Sequence, residues 1–135
     1  MPFKTLIFFL LISVSCFSQE IGSAKNGTHS IKLLKTNNLF SFVYSDVNSK
    51  DSQDEKSFNF PNINTMYQII MNGFDYKSDH QVIIQTSKDT IIKFDFKKVK
   101  GKKMLMIRQN NLITEKLSAS TFFTKKEIVG LFGNP

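Results

Sequence analysis

The stretch that decides the fold is "HQVIIQTSKDTIIKFDFKKVKGKKMLMIRQ", residues 80–109. Apolar and polar residues alternate through most of it, and this period of two is typical of strands with one buried face. Two turn signals divide it, Ser87-Lys88-Asp89 and Lys100-Gly101. The stretch therefore predicts three antiparallel strands, and a fourth follows in "LITEKLSAS", residues 112–120.

The two turns fix the register of this meander. A three-residue loop at 87–89 places Val82 opposite Phe94, and a tight turn at 100–101 places Phe94 opposite Ile107. The turns are independent of each other, yet both collect apolar residues on one face, as a sheet that packs on a core requires. The predicted inner face consists of Val82, Ile84, Ile92, Phe94, Phe96, Leu105 and Ile107.

A hairpin is predicted upstream of the meander, in "SIKLLKTNNLFSFVYSD", residues 30–46. Asn37-Asn38 forms its two-residue turn, because Asn tolerates positive φ. Pairing outward from this turn places Leu33 opposite Phe42 and Ile31 opposite Tyr44. A short strand then leads to a helix with Asn62 as N-cap, Gly73 as its stop, and a buried stripe of Ile63, Met66, Tyr67, Ile70 and Phe74.

The chain ends in a second predicted helix. Thr124 and Glu127 form a capping box, and Gly133 stops the helix after Ile128, Leu131 and Phe132. Before it, Asn110-Asn111 predicts a tight turn, and the unclear register that follows favours a bulge or a longer loop.

These elements predict an α+β fold. Its antiparallel sheet is made of a hairpin plus a four-strand meander, about six to seven strands in all, and it packs with two helices. The single α+β domain is expected over residues 31–135. Residues 19–30, "QEIGSAKNGTHS", are small and polar and predict a flexible N-terminal segment.

Residues 1–18 predict a signal peptide. Lys4 precedes the apolar run Leu6–Val14, which is too short to span a bilayer. A cut after Ser18 gives an exported periplasmic or extracellular chain with no transmembrane segment. In the alternative, Cys16 carries a lipid anchor that tethers the protein to the envelope, although Ser13 does not fit the aliphatic preference of lipoprotein processing.

Several kinds of site find no support in the sequence. Cys16 is the only cysteine, so the chain has no internal disulfide. His29 and His80 lie far apart, which predicts no metal site, and neither a P-loop nor G-x-G-x-x-G predicts a cofactor. We expect no catalytic residues, and hold only His80, with Tyr76, Lys77 and Asp79 nearby, as an acid–base candidate.

The strongest surface feature is basic. The chain carries 18 Lys and Arg against 11 Asp and Glu, and six lysines fall within residues 93–103. This pattern predicts a binding site for a polyanion, with nucleic acid disfavoured because the hairpin has no outward aromatic residues. Alternatively, the lysines form a solvated face and Met104 and Met106 lie under the C-terminal helix. The candidate binding residues are Lys97, Lys98, Lys100, Lys102, Lys103 and Arg108.

Three functional hypotheses follow from these features. The first is a small exported, non-enzymatic binding module whose partner is an unknown protein or ligand. The second is a polyanion-binding protein that uses the lysine-rich hairpin. The third is a small hydrolase or lyase that uses His80, which requires a second titratable group within hydrogen-bond reach.

Overall fold

A computed structural model describes residues 18–51 and 53–133. The predicted signal peptide, apart from Ser18, and the lipid-anchor candidate Cys16 lie outside the described residues. The predicted α+β class is confirmed, because antiparallel strands and two helices make up the described chain. The strands form two sheets rather than one, and they number nine rather than six to seven.

The first sheet has the order β1-β2-β3-β4 and comprises β1 (Ser18–Asn26), β2 (His29–Thr36), β3 (Leu39–Ser45) and β4 (Glu55–Phe60). The second sheet has the order β5-β6-β7-β8, with β9 also on β7, and comprises β5 (His80–Ser87), β6 (Thr90–Val99), β7 (Lys102–Asn111), β8 (Leu117–Ala119) and β9 (Phe123–Thr124). Helix α1 (Ile63–Asp75) connects the sheets, and helix α2 (Lys125–Leu131) follows β9.

The predicted strand registers are confirmed. Leu33 pairs with Phe42, and Phe94 pairs with both Val82 and Ile107. Lys100 and Gly101 adopt φ values of 53° and 80°, the left-handed conformations that a tight two-residue hairpin turn needs. The β5–β6 connection is shorter than predicted: Ser87 pairs with Thr90 after an irregularity in β5, and the pairing of the strand bodies is unaffected.

The core lies between the inner faces of the two sheets and is closed by the helices. The Phe58 ring of the first sheet lies 6.4 Å from that of Phe94 in the second, centroid to centroid. Phe74 of α1 packs edge-on against Phe96 at 5.1 Å. Full burial of a side chain such as Phe94 contributes roughly 1.5–3 kcal/mol, so these aromatic contacts are a main source of stability.

The prediction of a flexible segment over residues 19–30 is wrong. Most of these residues belong to β1, which pairs with β2, and to the start of β2 itself. The small residues that suggest flexibility serve close packing instead: a Cβ on Gly22 would lie 2.5 Å from the backbone oxygen of Leu131. Only glycine lets β1 approach α2 this closely.

Gly73 does not stop α1, which continues to Asp75. It is buried against the Phe96 ring, and a Cβ at this position would overlap that ring. The predicted N-cap is confirmed, because the Asn62 side chain accepts a hydrogen bond from the Thr65 amide. Glycine therefore marks a close approach between helix and sheet, not the end of the helix.

The predicted capping box of α2 is confirmed. Thr124 Oγ1 accepts from the Glu127 amide at 3.1 Å, and Glu127 Oε1 accepts from the Thr124 amide at 2.9 Å. Gly133 adopts a φ of 63° just after the helix, as expected for its stop.

The tight turn predicted at Asn110-Asn111 is wrong. Both residues end β7, and the longer loop that was also predicted spans residues 112–116. Asn111 acts through its side chain, whose Oδ1 accepts from the amides of Ile113 and Thr114.

Candidate functional site

The outer face of the second sheet is the side opposite the core. Both helices pack on the inner side, where Phe96, Leu105 and Ile128 share one buried cluster. Because side chains alternate along a strand, Met104 and Met106 point away from that cluster and are only partly buried. The alternative that they lie under the C-terminal helix is therefore wrong. The outer face includes Lys93, Asp95, Lys97, Met104, Met106 and Arg108.

Asp95 is buried although it points outward, because neighbouring side chains cover it. Arg108 Nε lies 2.7 Å from Asp95 Oδ2, and the Gln81 side-chain amide, through Nε2, donates to Asp95 Oδ1. The contact at Oδ2 is a pairing of charges rather than a hydrogen bond of regular geometry. It holds the guanidinium through Nε, while the arginine side chain as a whole stays 50% exposed.

A cleft of about 290 Å³ opens beside this ion pair. Arg108 and Lys93 bring positive charge to it, and Met106 and Leu117 bring apolar surface. Leu117 is 65% exposed, so its apolar surface is accessible at the cleft. The cleft is lined by Val47, Asn48, Lys93, Met106, Arg108, Gln109, Asn110, Leu117, Ser118 and Ala119.

The β3–β4 loop fixes one wall of the cleft. The Val47 amide donates to the Ala119 carbonyl at 2.8 Å, and the Ala119 amide donates to Asp46 Oδ1 at 3.1 Å. Asp46 is buried and also accepts from the Asn48 amide. These bonds hold β8, and with it Leu117, in a fixed position at the edge of the second sheet.

A buried polar cluster links the two sheets next to the cleft. The Tyr44 hydroxyl donates a hydrogen bond to Gln109 Oε1 at 2.7 Å. Its oxygen also lies 2.7 Å from Ser118 Oγ, and since the phenol proton is already used, the Ser118 hydroxyl is the donor in this second bond. Burial raises the pKa of Tyr44 far above its usual value, so the phenol stays neutral. Gln109 and Ser118 also line the cleft, so Tyr44 supports its floor.

The six predicted binding residues do not form one site. Lys97 and Lys102 project from the outer face with Arg108, whereas Lys98 and Lys103 alternate to the other side. Lys103 is half-buried and donates to the carbonyls of Tyr76 and Ser78, which anchors the α1–β5 loop. The exposed lysines around the hairpin turn are Lys97, Lys98, Lys100 and Lys102.

His80 packs against aromatic rings rather than forming a hydrogen bond with a titratable side chain of the described residues. Its ring stacks on Tyr76, with centroids 3.8 Å apart and planes 6° from parallel, and has Phe96 on its flank. Asp79 instead accepts a bond from the Lys98 amide. Among the described residues, no hydrogen bond to the His80 side chain is found. The hydrolase hypothesis therefore lacks the partner it requires.

Metal ligands and membrane-spanning helices were looked for in the described residues. Within residues 18–51 and 53–133, no three His, Cys, Asp or Glu side chains are grouped so that they could hold a metal ion. Neither helix in the described chain is long and apolar enough to cross a membrane.

Arg108 was predicted from the sequence as a binding residue, but the cleft around it was not, because its lining comes from four separate segments. Val47 lies in a polar loop, and Leu117 follows a turn whose register was unclear. The only sign of the cleft in the sequence was an apolar residue, Met106, at a strand position that faces away from the core. Comparisons of the chain with protein-family models, curated proteins and solved structures find no match.

Proposed function

We propose that the protein is a small exported, non-enzymatic binding module and that the cleft beside Arg108 holds its ligand. One observation carries the proposal. Arg108 is fixed by Asp95 through Nε, and it lines an open cleft with its remaining donors unoccupied by protein carboxylates in the described chain. A fixed guanidinium binds an anion at little entropic cost, since its geometry is already set.

The lining of the cleft indicates the chemistry of the ligand. Lys93 and Arg108 favour a carboxylate or a phosphate, and Val47, Met106 and Leu117 favour an apolar group next to it. Ligand pockets usually measure about 300–1,000 Å³, so a cleft of this size suits a small molecule. The ligand class is therefore a small amphiphilic anion.

Octanoate is a direct probe of this cleft, and octanol is its uncharged match. We expect octanoate to shift the backbone NMR signals of Arg108, Ser118 and Ala119. Octanol should bind at least about tenfold more weakly than octanoate, because it has no charge to pair with Lys93 and Arg108. Leu117→Ser should weaken octanoate binding. Ile113→Ser, in the nearby loop and 78% exposed, is the matched control.

Arg108→Gln should lower the octanoate affinity at least about tenfold at a temperature where the variant is folded, because it removes a charge-assisted contact. Lys98→Gln, on the other side of the sheet, should leave the affinity unchanged. The proposal fails if octanoate shifts no signals at the cleft, or if Leu117→Ser and Arg108→Gln both bind as the parent does.

A second candidate function is polyanion binding at the hairpin turn, and the four exposed lysines there favour it. It predicts salt-sensitive retention on a heparin resin that the double charge reversal Lys100→Glu/Lys102→Glu reduces sharply. Lys25→Glu/Lys56→Glu changes the net charge equally on the first sheet and is the control. Equal retention of the two variants would reject a local site.

Export remains part of the proposal, and intact-mass measurement tests it. A secreted or periplasmic chain that begins at Gln19 supports cleavage after Ser18. A lipidated mass that begins at Cys16 would instead place the protein on the envelope surface and support the anchored alternative. A full-length mass in the cytoplasm would reject both.

A further inference from the structure

The edge strands of the two sheets differ in how well they are protected. Free backbone groups on an edge invite pairing with another chain, and proteins usually block them with charges, bulges, short strands or covering segments. In β1, Glu20 and Lys25 are charged, the pairing is irregular next to Gly22, and α2 packs alongside. In β4, Glu55 and Lys56 supply charges.

The far edge of the second sheet is also protected. Strand β8 has three residues, and the β3–β4 loop occupies its open side through the hydrogen bonds of Asp46 and Val47 with Ala119. Strand β9 has two residues and leads directly into α2. Three of the four sheet edges are therefore blocked by ordinary devices.

Strand β5 is the least protected edge, and its one such device is the irregular pairing between Gln85 and Ser87 at its end. Its eight residues, "HQVIIQTS", include no Lys, Arg, Asp, Glu, Pro or Gly. Among the described residues, its backbone hydrogen bonds run only to β6; β4 and α1 come close to it but supply no backbone hydrogen bond to its other side. Ile83 at its centre is 58% exposed, and Val82 and Ile84 are only partly buried. An uncharged, β-prone strand with an open side is suited to pairing with another strand.

We propose that β5 pairs antiparallel with β5 of a second copy, around a twofold axis at Ile83. A twofold axis perpendicular to the sheet sets Ile83 opposite Ile83 of the partner subunit, Val82 opposite Ile84 and Gln81 opposite Gln85. Each strand then offers a complementary neighbour to the other, as an isologous interface requires. The exposed isoleucine is covered by its own counterpart.

The charges at the two ends of β5 favour a second copy as the occupant. The formal net charge of +7 makes two copies repel each other overall, so self-pairing needs an uncharged contact strand, which β5 provides. Asp79 precedes the strand and Lys88 follows it. Antiparallel pairing therefore brings Asp79 of one copy towards Lys88 of the partner subunit, so the ends attract rather than repel.

This inference is independent of the proposed ligand. The cleft lies mainly at β7 and β8, and pairing along the open edge of β5 does not cover it. Its lining reaches β5 most closely through Lys93 of β6, the cross-strand partner of Ile83. The two proposals therefore succeed or fail separately.

Sedimentation equilibrium over a concentration series tests the proposed dimer. We expect the protein to dimerise and Ile83→Lys to raise the dimer dissociation constant by about tenfold or more, because it sets like charges opposite each other at the centre. Ile113→Lys introduces the same charge at an exposed isoleucine outside β5 and should leave dimerisation nearly unchanged. The proposal is overturned by a monomer at every concentration, or by a dimer that Ile83→Lys does not weaken.

Cysteine cross-linking tests the register, with Cys16→Ser as background so that no other thiol is present. Ile83→Cys should form a disulfide-linked dimer, because the two side chains face each other across the twofold axis. Gln81→Cys alone should cross-link poorly, whereas a mixture of Gln81→Cys and Gln85→Cys chains should cross-link. Efficient linkage at Ile113→Cys but not at Ile83→Cys, or capture of an unrelated strand by a monomeric chain, would contradict self-pairing.

Discussion

Arg108 covers the buried carboxylate of Asp95 on the face of the second sheet that points to solvent, with Nε 2.7 Å from Oδ2. The side chain of the arginine is 50% exposed and that of the aspartate 4%. The pair therefore combines a desolvated anion with a cation that still reaches water. The same contact that shields Asp95 also aims the guanidinium at the cleft.

Arg108→Gln should destabilise the fold by about 1–3 kcal/mol in urea unfolding, because it leaves a buried carboxylate without its counter-charge. Lys97 lies on the same face and is exposed, so Lys97→Gln should change the free energy of unfolding by less than about 0.5 kcal/mol. Adding Asp95→Asn to Arg108→Gln should recover part of the loss. Equal stabilities for Arg108→Gln and Lys97→Gln would show that the pair contributes nothing.

Gly22→Ala and Gly130→Ala should have opposite effects on stability. A Cβ at Gly22 meets the Leu131 and Gly130 carbonyl oxygens at 2.5 and 2.6 Å, so we expect a loss of about 1–3 kcal/mol. Gly130 is exposed within α2 with open space around it, and alanine there should gain about 0.4–1 kcal/mol by reducing the entropy of the unfolded chain. Thermal unfolding checks both variants, and a neutral Gly22→Ala would contradict the close packing.

Stability should fall as the pH rises above about 10, where an ordinary tyrosine ionises. Burial raises the pKa of Tyr44, so the folded protein keeps a proton that the unfolded chain releases. This group removes up to about 1.4 kcal/mol per pH unit in that range. Tyr44→Phe lacks this dependence, although it loses the bonds to Gln109 and Ser118.

The stability gap between the parent and Tyr44→Phe should therefore narrow from pH 9 to pH 11 in urea unfolding series. The comparison cancels the titration of Tyr67, Tyr76 and the lysines, which both proteins share. A gap that stays constant across this range would mean that Tyr44 ionises as easily in the folded state as in the unfolded chain.

The parts of the fold that follow from local pattern were predictable. Alternation and turn chemistry together set the register of Val82, Phe94 and Ile107, because a slip of one residue would expose the whole apolar set. The capping box of α2 was equally visible, since Thr124 and Glu127 bond within a single turn.

The parts that depend on distant contacts were not predictable. Gly22 and Gly73 carry no sign in the sequence of the Leu131 backbone and the Phe96 ring that they meet, so they suggested flexibility and a helix stop. The cleft shows the same limit, since Val47 and Leu117 meet only because buried Asp46 bonds to Ala119.

The contact of Gly22 with Leu131 has a consequence for the order in which the protein folds. Strand β1 rests on α2, so it reaches its final packing only once residues 125–131 have folded as well. Until then the N-terminal sheet lacks the support of α2, and Phe42 lacks its contact with Phe132. A truncation that removes Phe132 would leave the N-terminal sheet incompletely packed and more open to proteolysis, so each end of the described fold stabilises the other.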